Sequence, residues 1–134
     1  MDSKTETQLV TAAINAMARA YAPYSGFAVG AAILCEAGRI HSGSNIENAA
    51  YPLGNCAEAS AIAAMIAAGS RQISAIAVAG SGDLLCTPCG GCRQRIREFA
   101  APSTAVLVAG PQGLRRRFTL DQLLPQSFGP ENLR

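Results

Sequence analysis

Two short cysteine-bearing segments constrain this chain more than any other feature of its sequence. They read CAE at residues 56–58 and PCGGC at residues 88–92. If one metal ion is held by Cys56, Cys89 and Cys92, the fold has to bring two distant parts of the chain together. Three thiolates match a catalytic zinc site, which keeps a fourth position open for water, better than a structural site, which normally has four protein ligands.

Glu58 follows Cys56 by two residues, so its carboxylate could exchange a proton with water in that open position. Taken alone, Glu58 is better interpreted as an ordinary first-turn carboxylate that the helix dipole favours, and only its place beside three thiolates favours the catalytic role. Both segments are predicted to begin helices, where unpaired backbone N–H groups stabilise thiolates. Pro88 suits the first turn of the second of these helices because it has no N–H to leave unpaired. The sequence thus predicts two helix N-termini that face one ion.

The other two cysteines leave an alternative open. Cys86 precedes Cys89 by three residues and could complete a closed four-sulfur site, although LLC at residues 84–86 resembles an apolar strand end. Cys35 follows an apolar run and is interpreted as a small buried hydrophobe. His41, the only histidine, follows Ile40 in a predicted strand, so it is interpreted as a surface or edge residue.

Hydrophobic periodicity switches repeatedly between the helical and the strand pattern, which indicates one α/β unit without repeats. The 134 residues, 49% of them hydrophobic, suit a single domain over residues 1–134. The first half of the chain is predicted to contain a helix over 9–21 ended by Pro23, a hairpin of 27–34 and 39–44, a broken loop over 42–55 and a helix from about 56. The second half is predicted to contain a strand over 73–79, a helix from 88 through 99, a strand over 104–109 and a turn at 111–113. A short helix begun by a capping box at 119–122 and an irregular tail after Pro125 complete the prediction.

The overall charge of the chain says little about its function. The net charge is +2 and only 15% of residues are charged, so neither a nucleic-acid surface nor a membrane surface is indicated. The arginine run at 115–117 is interpreted as a solvated strand or turn surface. The N-terminus lacks the pattern of a signal peptide, and the apolar run 59–68 is too short for a membrane helix. We therefore expect a cytoplasmic protein whose five cysteines are free thiols.

Five ordered motifs extend over nearly the whole chain, and together they resemble the small, homotetrameric cytidine deaminases. The motifs are YSGFAVGAA at 24–32, NIENAAY at 45–51, CAE at 56–58, PCGGCRQ at 88–94 and LLPQSFGP at 123–130. The resemblance implies a three-layer α/β/α sandwich with a mixed sheet of about five strands and both zinc-bearing helices on the same face. It also implies one Zn²⁺ per subunit and hydrolytic deamination of cytidine and deoxycytidine, as in pyrimidine salvage.

The same resemblance assigns roles to individual residues. Glu58 would carry the proton from the attacking water to the pyrimidine and then to the departing amine. The substrate-binding positions it implies are Phe27 for the base, Asn45 and Glu47 for the ribose, Ala57 beside the metal, and Tyr51 and Phe128, which would reach the substrate from neighbouring subunits of a homotetramer. For Phe128, a plain anchor of the tail on the core is the alternative.

One position departs from the family pattern. Many relatives carry an arginine after Cys-Ala-Glu, where this chain has Ala59. Three thiolates and Zn²⁺ sum to a charge of about −1, so helix N-termini and Arg93 are expected to offset it, and Arg93→Ala is predicted to weaken zinc retention.

Three other functions remain open from the sequence. They are deamination of another aminated nucleoside or nucleoside antibiotic, deamination of a polynucleotide, and a noncatalytic zinc-binding module. The lack of a basic groove and of aromatic platforms disfavours the second, and a closed four-sulfur site would mark the third.

Overall fold

The computed structural model describes residues 1–134 and contains one mixed five-stranded sheet with the strand order β2-β1-β3-β4-β5. The central β3 pairs antiparallel with β1 and parallel with β4, and both edge strands pair antiparallel with their neighbours. In chain order the elements are α1 (Ser3–Met17), β1 (Val29–Cys35), β2 (Ile40–Ser44), α2 (Ala57–Ala67), β3 (Ile73–Gly80), α3 (Gly90–Phe99), β4 (Ala100–Gly110), β5 (Gly113–Thr119) and α4 (Leu120–Leu123), with 3₁₀ turns at Tyr51–Leu53 and Pro130–Leu133.

The helices cover both faces of the sheet, because the buried strands alternate their side chains between two cores. On β3, Ala75, Ala77 and Ala79 face α1, whereas Ile76 and Val78 face the side that carries α2, α3 and α4. The predicted three-layer α/β/α arrangement is therefore confirmed, with both cysteine-bearing helices on the same face.

Close packing of α1 on the sheet depends on small residues. A Cβ atom on Gly30 would lie only 2.0 Å from the carbonyl oxygen of Ala13, so this strand position accepts no side chain. Small residues here allow α1 to lie near the backbone of β1, and the larger apolar side chains are left to fill the opposite core.

Several predicted boundaries were wrong. α1 ends at Met17, and Tyr21 instead forms a bridge with Ile46, because its backbone N–H and C=O pair with Asn45 and Glu47. Pro88 lies before the helix rather than in its first turn, since Cys89 is the N-cap of α3.

The C-terminal part of the chain also differs from the prediction. The tail, predicted to be irregular, includes a 3₁₀ turn over Pro130–Leu133. The arginine run lies in the edge strand β5, which agrees with its interpretation as a solvated strand surface. The predicted start of the last helix is confirmed: the backbone N–H of Thr119 donates to Gln122 Oε1 at 2.9 Å. None of the helices has both the length and the apolar character needed to cross a membrane.

Candidate metal centre and active site

The three predicted metal ligands meet at the N-termini of α2 and α3. Cys56 is the N-cap of α2, Cys89 is the N-cap of α3, and Cys92 lies in the first turn of α3. Their three Sγ atoms lie within 4.8 Å of one another. The two helices pack side by side on one face of the sheet, so tertiary packing rather than sequence proximity brings Cys56 to the other two.

This donor set fits a zinc ion with an open position. Zn²⁺ binds thiolate sulfur at about 2.3 Å, and three sulfurs this close together can surround one ion. Cys86 is not part of the cluster. Its Sγ instead lies beside Gly80, where a Cβ atom would come within 2.8 Å of it. The structure therefore supports a three-thiol centre and not the closed four-sulfur site.

The protein environment lowers the pKa of one of the three cysteine thiols and raises the pKa of the other two. The backbone N–H of Cys92, at the start of α3, holds the pKa of Cys89 below its usual range, as expected at a helix N-terminus. Burial raises the pKa values of Cys56 and Cys92. These two thiols would become thiolates when a cation binds, because coordination deprotonates them.

Glu58 lies in the first turn of α2, beside the three sulfurs. Its side chain is buried, with only 5% of the residue exposed. Burial raises the pKa of the Glu58 carboxyl above its usual range, so this group holds a proton more readily than a surface carboxylate. Ala57, between Cys56 and Glu58, is 1% exposed and packs in the core. A buried carboxyl with a raised pKa, beside three thiols that leave a fourth ligand position open, is the arrangement of metal-dependent hydrolases that activate water.

Arg93 does not contact the cluster sulfurs. Its guanidinium donates to the carbonyl oxygens of Pro88 at 2.6 Å and Leu123 at 2.7 Å, and to the Thr87 hydroxyl at 3.1 Å. Any effect of Arg93→Ala on zinc retention would therefore act through the backbone that precedes Cys89.

Arg95 is the arginine that reaches a cluster thiol. Its Nη1 donates to Cys92 Sγ at 3.7 Å, from the next turn of the same helix. The positive charge also favours the thiolate form of Cys56. The sequence reasoning missed this residue, although its i, i+3 spacing from Cys92 could have identified it, since residues three apart lie on one helix face.

Replacing Arg95 by alanine is expected to speed zinc loss to a competing chelator about two- to fivefold, the range for one partly exposed charge contact. The physical reason is the loss of a cation beside a cluster of net negative charge. Arg71→Ala is the control, because it removes the same charge from an exposed position outside the site. Equal chelation rates for the two variants would contradict a role for Arg95 in retaining zinc.

Asn45 holds the backbone that carries Phe27. Its side-chain Oδ1 accepts from the Val29 N–H at 2.9 Å, and its Nδ2 donates to the Phe27 carbonyl at 2.9 Å. One Nδ2 hydrogen and one Oδ1 lone pair remain for a ligand. Phe27 itself is 40% exposed. Asn45 therefore fixes the backbone on both sides of Ala28 and so positions Phe27. This role could not be predicted from the spacing between Asn45 and Glu47.

Glu47 organises an open pocket next to this support. Its carboxylate accepts from the backbone N–H groups of Tyr24 at 2.9 Å and Ser25 at 3.1 Å, and also from the Ser25 hydroxyl. These bonds hold the pKa of Glu47 below its usual range, so it stays ionised. The pocket has a volume of about 350 Å³ and is lined by Tyr24, Ser25, Glu47, Asn48, Tyr51 and Gly54.

The two residues predicted to act across subunits are exposed in the single chain. Tyr51 is 76% exposed and its ring packs edge-on against Tyr24, with ring centroids 6.0 Å apart, and Phe128 is 56% exposed. The Phe128 side chain is therefore not buried in the core. Tyr24 and Asn48 line the pocket, and sequence reasoning assigned them no role although both lie in motifs that carry the resemblance.

Comparison with known proteins agrees with this geometry. The cytidine and deoxycytidylate deaminase zinc-binding region matches residues 3–108 of the chain. The cytidine deaminase of Sporosarcina psychrophila is 41% identical over 126 residues, which span 94% of this chain and 93% of the relative. The cytidine deaminase of Mycobacterium tuberculosis is 43% identical over 122 residues, or 90% of this chain and 87% of the relative.

Solved structures show the same similarity. The crystal structure of cytidine deaminase from Burkholderia pseudomallei superimposes with a TM-score of 0.86 and 42% identity, covering 96% of this chain and 100% of that one. The chain belongs to the cytidine and deoxycytidylate deaminase family. The family, fold class and zinc dependence predicted from the motifs are thereby confirmed.

Proposed function

We propose that this chain, acting as one domain over residues 1–134, catalyses the zinc-dependent hydrolytic deamination of cytidine and deoxycytidine. The reaction consumes water and yields uridine or deoxyuridine and ammonia. The observation that carries the proposal is the buried Glu58 carboxyl beside three thiols at the N-termini of α2 and α3. The names of relatives that match most of the chain supply the substrate.

Cys56, Cys89 and Cys92 would hold the zinc ion. When bound, Zn²⁺ supplies a Lewis acid that lowers the pKa of water from about 16 to about 7. Glu58 takes a proton from the attacking water and delivers it to N3 of the cytosine ring while the oxygen adds to C4. Glu58 then takes the proton of the new C4 hydroxyl and delivers it to the amino group, so that the C4–N4 bond breaks, the C4 carbonyl of uridine forms and ammonia leaves. The raised pKa of Glu58 suits this alternation between base and acid.

The remaining polar and aromatic groups would hold the nucleoside. The exposed Phe27 ring offers a face for the pyrimidine. Glu47, kept ionised by the backbone of Tyr24 and Ser25, has acceptor capacity left for a ribose hydroxyl, and Asn45 has a donor left for another. Ala57 would line the metal side of the site through its backbone, since its side chain is buried.

We also propose a homotetramer that shares its active sites between subunits. The pocket beside Glu47 is open, none of the three cysteines lines it, and Tyr51, which does line it, is largely exposed. Phe128 in the C-terminal tail is also exposed. Exposed apolar patches of this kind mark association surfaces.

Subunit mixing tests this arrangement. Phe128→Ala and Glu58→Gln chains, each weakly active alone, should regain cytidine turnover when coassembled, because a mixed assembly contains intact sites. Sedimentation of the parent should give a tetramer. A monomeric active enzyme would rule out the shared site.

The reaction itself is tested by following the ultraviolet spectrum of cytidine with the purified protein, together with metal analysis of the same sample. A panel of other aminated nucleosides and of single-stranded polynucleotide separates the substrate classes. We propose a cytoplasmic location and a role in pyrimidine salvage, since all five cysteines are free and the metal-binding thiols must stay reduced. A zinc-loaded protein that leaves cytidine unchanged would refute the proposed reaction.

A further inference from the structure

A β-bulge places Arg115 apart from the rest of β5. Val108 pairs with Arg116, whereas the next residue, Ala109, pairs with Leu114, so Arg115 is the extra residue opposite β4. Bulges redirect a side chain and are frequent beside active sites. The bulge here turns Arg115 out of the regular ladder and across the end of β4.

The guanidinium of Arg115 lies on Gly110 and binds the loop after β3. A Cβ atom on Gly110 would lie 2.2 Å from Arg115 Cζ, so only glycine leaves room for this path. Nη1 of Arg115 donates to the carbonyl oxygens of Gly82 at 2.8 Å and Leu84 at 3.0 Å. Neither of the two ion pairs of the chain includes Arg115. Its hydrogen bonds are therefore directed at the backbone of this loop.

The loop held by Arg115 supports the Phe27 ring. A Cβ atom on Gly82 would lie 3.0 Å from Phe27 Cε1, and one on Gly80 would lie 3.2 Å from Phe27 Cζ. Ser81 fastens the loop to the residue after Phe27, because the Ala28 N–H donates to its hydroxyl at 3.1 Å and its own N–H donates to the Ala28 carbonyl at 3.0 Å. The Phe27 ring therefore packs against Gly80 and Gly82, and the carbonyl oxygens of Gly82 and Leu84 accept hydrogen bonds from Arg115.

We propose that Arg115 is a positioning residue of the nucleoside site, acting through the loop at residues 81–85 on the Phe27 ring. This rests on the proposed function, in which Phe27 contacts the pyrimidine. Arg115 touches neither the substrate nor the three cysteines in this arrangement. Its removal should weaken substrate binding while the zinc centre and Glu58 keep their positions.

Arg115→Ala is expected to raise KM for cytidine about tenfold, the effect of losing charge-assisted hydrogen bonds that order a surface loop. The value of kcat at saturation and the zinc content should remain close to those of the parent. Amide hydrogen exchange in residues 81–85 should accelerate in the same variant. Arg115→Lys keeps the charge with a smaller donor group and should give an intermediate KM. If the alanine variant folds poorly, the KM of the lysine variant tests the proposal in its place.

Arg116→Ala is the matched control, because Arg116 is the exposed neighbour on the same strand and faces Phe118 at 5.9 Å from its ring centroid. Its KM should equal that of the parent. If Phe27→Ala raises KM and Arg115→Ala does not, the positioning role is refuted while the proposed function stands. If neither variant changes KM, the contact of Phe27 with the base is refuted, and the role of Arg115 with it. Equal falls in kcat and zinc content would show general unfolding and also overturn the proposal.

Discussion

Replacing Glu58 by glutamine is expected to lower kcat for cytidine about a hundred- to ten-thousandfold, the range that a positioned general acid–base group contributes. The amide has nearly the same shape as the carboxyl but cannot take a proton from water and return it. Because Glu58 is not one of the clustered thiols, the variant should keep a full complement of zinc. Its buried position is already one where burial favours the uncharged form, so the fold should also persist. The fall in kcat is measured by following the ultraviolet absorbance of cytidine at saturating concentration.

Glu98→Gln provides the matched control for this substitution. Glu98 is an exposed carboxylate on α3, and its replacement makes the same chemical change away from the sulfurs. Its kcat should equal that of the parent. A Glu58→Gln enzyme that turns over cytidine as fast as this control would remove Glu58 from the mechanism.

The second large effect concerns zinc itself. Cys56→Ala should weaken zinc binding by more than about a hundredfold, because even the loss of groups that only orient metal ligands costs 10- to 100-fold. Cys56 is the single thiol of the cluster at the start of α2, so without it only the two thiols at the start of α3 would remain to bind the ion. Deaminase activity should be lost together with the metal. Metal analysis after dialysis against a chelator, run beside the activity assay, measures both.

Cys86→Ala tests whether a fourth cysteine belongs to the zinc site. Cys86 lies outside the cluster and packs beside Gly80. Its replacement should leave the zinc stoichiometry unchanged. A Cys86 variant that loses zinc as readily as the Cys56 variant would show a four-sulfur site, which the arrangement of the three clustered thiols does not support.

The sequence pattern predicted the two helix N-termini that carry the cysteines. Both helix starts were predicted close to their observed positions, because a capping position and a hydrophobic stripe are encoded within a few residues. Boundaries set by distant partners were predicted poorly. Tyr21 continues the helical spacing of α1, yet its backbone pairs with the segment at residues 45–47. This pairing partner lies far away in sequence, so periodicity could not reveal it.

The charged residues show the same division. Arg93 and Arg95 are both close to Cys92 in sequence, and composition does not distinguish them. The fold directs Arg93 to the carbonyl oxygens of Pro88 and Leu123 and leaves Arg95 to contact the Cys92 thiol. The choice depends on where α4 packs, and that contact joins residues thirty positions apart.

The sequence by itself determined the chemistry and the fold class of this protein. Thiols, a carboxylate and alternating hydrophobic periods are properties of the residues and of their near neighbours, and they indicate a three-thiol zinc site in an α/β domain. The resemblance of the five ordered motifs identified the deaminase family. Only the tertiary structure decided how the site is supported: Asn45 bonds to the backbone around Phe27, Glu47 orders Tyr24 and Ser25, and a bulge in β5 directs Arg115 to a distant loop. The reason is geometric. A side chain's partner depends on strand register and helix packing, which arise from the whole chain.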